Sequence, residues 1–79
     1  MKNIVLLASG SGSNAENIIK YFRQKNILHN FHIITNKKDA FVLDRAKNLN
    51  VPAEVITKKQ NDEGILLDRI NELKPDLIV

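Results

Sequence analysis

Ile4-Val5-Leu6-Leu7-Ala8-Ser9-Gly10-Ser11-Gly12-Ser13-Asn14 decides the fold: an apolar run passes into a loop with two glycines, and the loop into a segment with helical spacing. Consecutive apolar positions, without alternation, mark a strand buried on both faces, as in the middle of a parallel sheet covered by helices. Gly10 and Gly12 allow a sharp turn with positive φ and let a ligand approach the backbone, since neither carries a Cβ. Ser13, with Glu16 three residues on, matches the S-x-x-E pattern of a capping box and marks the helix start. A helix start behind a glycine turn offers unpaired N–H groups and the positive end of the helix dipole, which favours an anion such as phosphate. In the plainer reading the glycines serve only a tight strand-to-helix turn.

Outward from this junction, strand and helix alternate. From Asn14 to about Lys25, Ala15, Ile18, Ile19 and Phe22 recur at helical spacing, leaving Asn17, Lys20 and Gln24 for the outer face. Phe31-His32-Ile33-Ile34-Thr35 reads as a second strand, rich in β-branched and aromatic residues. Asn36 and Asp39 compete to cap the next helix, whose face is Ala40, Leu43, Ala46, Lys47 and Leu49. Pro52 ends that stretch, Ala53 to Thr57 is a short third strand, and Lys58 to Asp62 reads as a polar loop. Ile65, Leu66, Ile70 and Leu73 mark a third helix, stopped at Lys74-Pro75, and Asp76-Leu77-Ile78-Val79 begins a fourth strand. The expected architecture is α/β: a parallel sheet of about four strands with three helices on its two faces, joined by right-handed crossovers. Ligands of such sheets bind beyond the carboxyl ends of the strands where the strand order reverses, here between strands 1 and 4, beside the glycine loop. Lys37, Lys38, Lys58 and Lys59 follow strands 2 and 3 at the same edge, either as a weak anion-attracting ring or as solvated loop residues.

Composition narrows the classes. Seventy-nine residues suit one small domain, and a chain of this size buries only about 60% of its unfolded surface, so a freestanding version is expected to be marginal. Absence of cysteine excludes a disulfide framework and suits a reducing cytosol, and with no apolar run near ~20 residues the chain reads as cytoplasmic. The net charge of +3 is small and dispersed, which disfavours a nucleic-acid partner and fits a small anionic ligand better. Gly10-Ser11-Gly12-Ser13-Asn14-Ala15 satisfies G-x-G-x-x-A, but Asn36-Lys37-Lys38 stands where an NAD site wants an acidic residue, which leaves NADP open. No Lys follows Gly12, so the loop is not a Walker A motif. His29 and His32 lie without a partner at catalytic spacing and read as structural. Asp39, Asp44, Asp68 and Glu72 read as exposed positions beside Arg45 and Arg69, and no metal site is expected.

The opening Ile4 to Asn14, the Thr35-Asn36-Lys37-Lys38-Asp39-Ala40 segment with Leu43-Asp44-Arg45-Ala46, and Pro75-Asp76-Leu77-Ile78-Val79 resemble phosphoribosylglycinamide formyltransferases end to end. The resemblance implies a Rossmann-like fold and transfer of a formyl group from 10-formyltetrahydrofolate to the amine of glycinamide ribonucleotide, in purine biosynthesis. The S-G-x-G-S-N loop holds the substrate's 5′-phosphate in that family, a role the resemblance carries to Ser11, Gly12, Ser13 and Asn14, with Gly10 shaping the loop. It places the family's Asn, His and Asp catalytic group and its folate loop beyond Val79, so neither histidine here inherits a catalytic role. The family often carries a folate-contacting Arg after strand 3, whereas Lys58 to Gly64 contains none. Residues 1–79 are thus expected to be the amino-terminal, substrate-phosphate part of a domain that continues, inactive alone and prone to self-association through strand 4. The alternative is a small Rossmann-like module binding NADP or another nucleotide.

Overall fold

Ile4, Val5 and Leu6 are each at most 3% exposed, so the first strand is buried on both faces, as its unbroken apolar run predicts. A computed structural model describes residues 1–8 and 10–79; Ser9 of the glycine loop lies outside the described residues. The elements follow in the order β1 (Asn3–Ala8), α1 (Ser13–Gln24), β2 (Asn30–Thr35), α2 (Val42–Leu49), β3 (Ala53–Val55), α3 (Lys58–Asp62), α4 (Ile65–Leu73) and β4 (Leu77–Ile78). All strand pairs are parallel, in the order β3-β2-β1-β4, with Leu6 beside Ile33 and Val5 beside both His32 and Ile78. Strand order therefore reverses between β1 and β4, where the expected crevice belongs.

Side chains alternate across β1, and each face meets its own helices. Ile4 and Leu6 join Phe31 and Ile33 under α1 and α2, whose Ala15, Ile19, Val42 and Ala46 complete the larger core. Val5 and Ile34 join Ile56 on the other face, covered by Leu66 and Leu73 of α4. Because α4 buries none of its residues fully, this second layer is the thinner one. At the amino end of the sheet the Asn3 N–H donates to Asp76 Oδ2 (2.7 Å), the Asp76 N–H donates to the Asn3 carbonyl (2.7 Å), and Asn30 Nδ2 donates to Asn3 Oδ1 (3.0 Å). Three strands are thereby pinned at one asparagine.

Three expectations need correction. The described residues form four helices rather than three, because Lys58–Asp62 forms α3: Gln60 N–H donates to Thr57 Oγ1 (3.3 Å) while Thr57 N–H donates to Gln60 Oε1 (2.9 Å), a capping box with no apolar stripe behind it. Gly64, at φ +85°, turns the chain into α4. The second helix starts at Val42, not near Ala40, and neither Asn36 nor Asp39 caps it. Its core face is accordingly Val42 and Ala46 with half-buried Leu43 and Leu49, while Lys47 is exposed.

Candidate functional site

Gly12 is the pivot between β1 and α1. At φ +75° and ψ 15° it occupies the left-handed region, where a Cβ costs energy, and its carbonyl accepts from Glu16 N–H (2.9 Å) as the helix begins. A Cβ on Gly10 would meet nothing within 4 Å, so of the two glycines it is Gly12 whose missing side chain the packing requires. A packing demand adds to this: a Cβ on Gly12 would lie 2.1 Å from Val42 Cγ2, on the side of α2. Helix and loop touch there without room for a methyl group.

The capping box expected at Ser13 and Glu16 does not form. Gly12 is the N-cap, no side chain among the described residues caps α1, and Glu16 turns outward to Lys20 Nζ (2.8 Å) and Arg45 Nη1 (2.5 Å). The hydrogen bond from Lys20, then that from Arg45, holds the Glu16 carboxyl below the usual carboxylate range. With no side-chain cap, the first N–H groups of α1, at Ser13, Asn14 and Ala15, keep the donor capacity that an α-helix leaves unused at its start.

These groups border a cavity of about 310 Å³ lined by Gly10, Ser11, Gly12, Ser13, Asn14 and Ala15 on the loop side, and by Leu6, Leu7 and Val79 on the sheet side. The geometry thus brings together the loop residues singled out from the sequence, at the β1–β4 reversal. A second cavity, of about 350 Å³, lies on the α4 face and shares Leu7 and Ala8 with the first. Among the four lysines at this edge, Lys58 lines the second cavity with Asn36 and Asn61; Lys37, Lys38 and Lys59 are exposed.

Two residues escaped the sequence reading. Arg45, to which the sequence assigns no role, reaches back from α2 so that its Nε donates to the Ser11 carbonyl (2.6 Å), while Phe41 lies under the guanidinium, 5.0 Å from the ring centre. Glu54 on β3 meets His32 Nε2 at 2.6 Å and accepts from Arg69 Nε at 2.8 and 2.9 Å. Burial raises the Glu54 pKa, but the bonds from Arg69 and His32 outweigh it and hold the carboxyl below its ordinary range. This trio sits on the α4 face, where His32 borders a third cavity at the amino end of the sheet, away from the glycine loop. His29 Nδ1 accepts from Lys2 N–H (3.3 Å), and its ring lies edge-on to Phe22, 4.9 Å between centres.

A four-stranded parallel sheet with helices on both faces and an uncapped helix start at a glycine loop defines a class of ligand-binding α/β domain. The formyl transferase family matches residues 2–79, and the chain belongs to it. Within that family it is 34% identical, over 85 aligned positions and all of its own length, to the phosphoribosylglycinamide formyltransferase of Haemophilus influenzae. It is 32% identical, over 98% of its length, to that of Escherichia coli. The crystal structure of glycinamide ribonucleotide transformylase 1 from Geobacillus kaustophilus superposes with a TM-score of 0.81, at 28% identity, covering 99% of this chain and 45% of that one. The chain spans about two fifths of the length of the curated relatives it matches.

Proposed function

We propose that residues 1–79 form the substrate-phosphate part of a phosphoribosylglycinamide formyltransferase, whose whole domain passes a formyl group to the amine of glycinamide ribonucleotide. The observation that carries this reading is the uncapped start of α1 behind left-handed Gly12, opening into the cavity at the strand reversal. Backbone N–H groups at a helix start suit a phosphate monoester because several donors and the helix dipole act on one compact anion. Ser11, Gly12, Ser13 and Asn14 supply this cradle, with Ser13 and Asn14 offering side-chain donors as well. Holding the phosphate at this end fixes the ribose and leaves the amine to point along the crevice, which converts an encounter of two solutes into a positioned one.

The formyl donor of the family, 10-formyltetrahydrofolate, supplies an electrophilic formyl carbon. Attack by the neutral amine develops negative charge on the formyl oxygen, which polar groups of the remaining domain are assigned to stabilise. The residues of this chain bind and orient; none is assigned to proton transfer. The match of the family across 2–79 supports this reading over a dinucleotide module, as does the exposed Asn36-Lys37-Lys38 at the end of β2, where an NAD site wants a carboxylate.

Titration with glycinamide ribonucleotide, followed through the amide resonances of Gly12, Ser13 and Asn14, tests it. Saturable shifts at these amides, reproduced more weakly by inorganic phosphate, are expected. Shifts produced by NADPH and not by the ribonucleotide would assign the loop to a dinucleotide instead.

A further inference from the structure

The loop's shape depends on a residue outside it. Arg45 Nε donates to the Ser11 carbonyl at 2.6 Å, across 34 positions of sequence, and the guanidinium is held from two further sides by Glu16 and the Phe41 ring. In a planar trans peptide the C=O and the following N–H point in opposite directions, and among the described residues no peptide bond is cis. A Ser11 carbonyl turned toward α2 therefore turns the Gly12 N–H away from α2. The cavity lies on that side: its described lining residues include Gly10 to Ala15 and none of α2. Glycine tolerates the inverted plane as readily as this one, so the loop's own sequence does not choose between them.

We propose that Arg45 is a positioning residue of the anion site: by holding the Ser11–Gly12 peptide plane it keeps the Gly12 N–H directed at the cavity. The proposal rests on the reading of the loop as a phosphate site and adds what orients it. Its contribution through orientation is separable from its charge, because Glu16 receives both Arg45 and, at 2.8 Å, Lys20, so that losing either cation changes the local charge equally. Lys20 is thus a control that removes the same charge from the same carboxylate without touching the loop.

The test uses the chain labelled with 15N, titrated with inorganic phosphate, in wild type, Arg45→Ala, Arg45→Lys and Lys20→Ala. Arg45→Ala is expected to weaken phosphate by about tenfold, the scale of one lost charge-assisted hydrogen bond, and Lys20→Ala by about twofold or less. Arg45→Lys recovers part of the loss, since one ammonium reaches either the carbonyl or Glu16 but does not fork between them. The ligand-free dipolar coupling of the Gly12 N–H should change in Arg45→Ala and move part of the way in Arg45→Lys. Equal affinity in wild type and Arg45→Ala overturns the proposal, as does an equal loss in Lys20→Ala. Should Arg45→Ala fail to fold, Arg45→Lys carries the comparison, and wild-type affinity with an unchanged coupling there overturns it. If wild type itself binds no phosphate, the phosphate reading of the loop falls; the coupling still judges Arg45, and the same coupling in all variants ends its role.

Discussion

At position 12 a side chain would meet Val42 of α2. The Cβ of an alanine there would lie 2.1 Å from Val42 Cγ2, 2.4 Å from Val42 Cβ and 3.0 Å from Val42 Cα, so α2 has to move as a body. Adding the left-handed φ to this overpacking, Gly12→Ala should cost about 2–4 kcal/mol in denaturant unfolding, with phosphate affinity falling because the loop shifts. Trimming the neighbour does not repair it: in Gly12→Ala with Val42→Ala the clash at the Val42 Cβ remains, so a double variant as stable as Val42→Ala alone would refute this account. The glycine was readable from the sequence; its reason was not. Val42 and Arg45 stand 30 and 33 positions downstream, and a carbonyl acceptor such as that of Ser11 leaves no mark in side-chain identity. Ser13 and Glu16 show the converse, a capping pattern present in sequence but unused because Arg45 and Lys20 compete successfully for the carboxylate.

Elements with an apolar period were readable, and those without one were not. β1, α1 and β2 follow from their runs and stripes, whereas α3 is Lys-Lys-Gln-Asn-Asp and has no apolar face to betray it. Its only signal was Thr57 with Gln60 three residues on. Thr57→Ala should cost about 1 kcal/mol, and, as α3 buries no residue, the loss is expected as faster amide exchange at Gln60 and Asn61 with the global transition nearly unmoved. Between elements, Glu54 ties β3 to β2 through His32 and to α4 through Arg69. A carboxyl whose pKa lies lower in the folded than in the unfolded chain stabilises above its ordinary value of 4.5, and that stability is lost as pH falls through the folded pKa. Arg69→Met should therefore lower the melting temperature at neutral pH, and the gap to wild type should narrow on the acid side once Glu54 is protonated. A gap of constant size from neutral to acid pH would show that Arg69 acts only through packing of its stem.

Across the described residues the two layers are unequal, and β4 is paired on one side only, with β1. Leu77, Ile78 and Val79 are 50%, 46% and 48% exposed, apolar though they are. The Val79 N–H donates to the Val5 carbonyl and its own carbonyl accepts from Leu7 N–H, both at 2.9 Å, so the alternation of a strand leaves the backbone of Ile78 facing outward. An apolar edge of this kind invites strand pairing. A polypeptide of residues 1–79 should self-associate in a concentration-dependent manner in sedimentation, and Ile78→Pro, which removes an outward donor without losing a bond to β1, should reduce it. A sharp, concentration-independent thermal transition of a monomer would count against this. The asparagine pin bears on biosynthesis. Asn3 and Asp76 are 73 positions apart, so at translation rates of roughly 5–20 residues per second β1 leaves the ribosome some 4–15 s before its partner on that side. During that interval β2 can pair with β1 while the opposite flank of β1, including Leu6 and Leu7, stays bare. The nascent chain is then most exposed to chaperones, and to neighbouring chains on the same polysome, at a strand that ends up between β2 and β4.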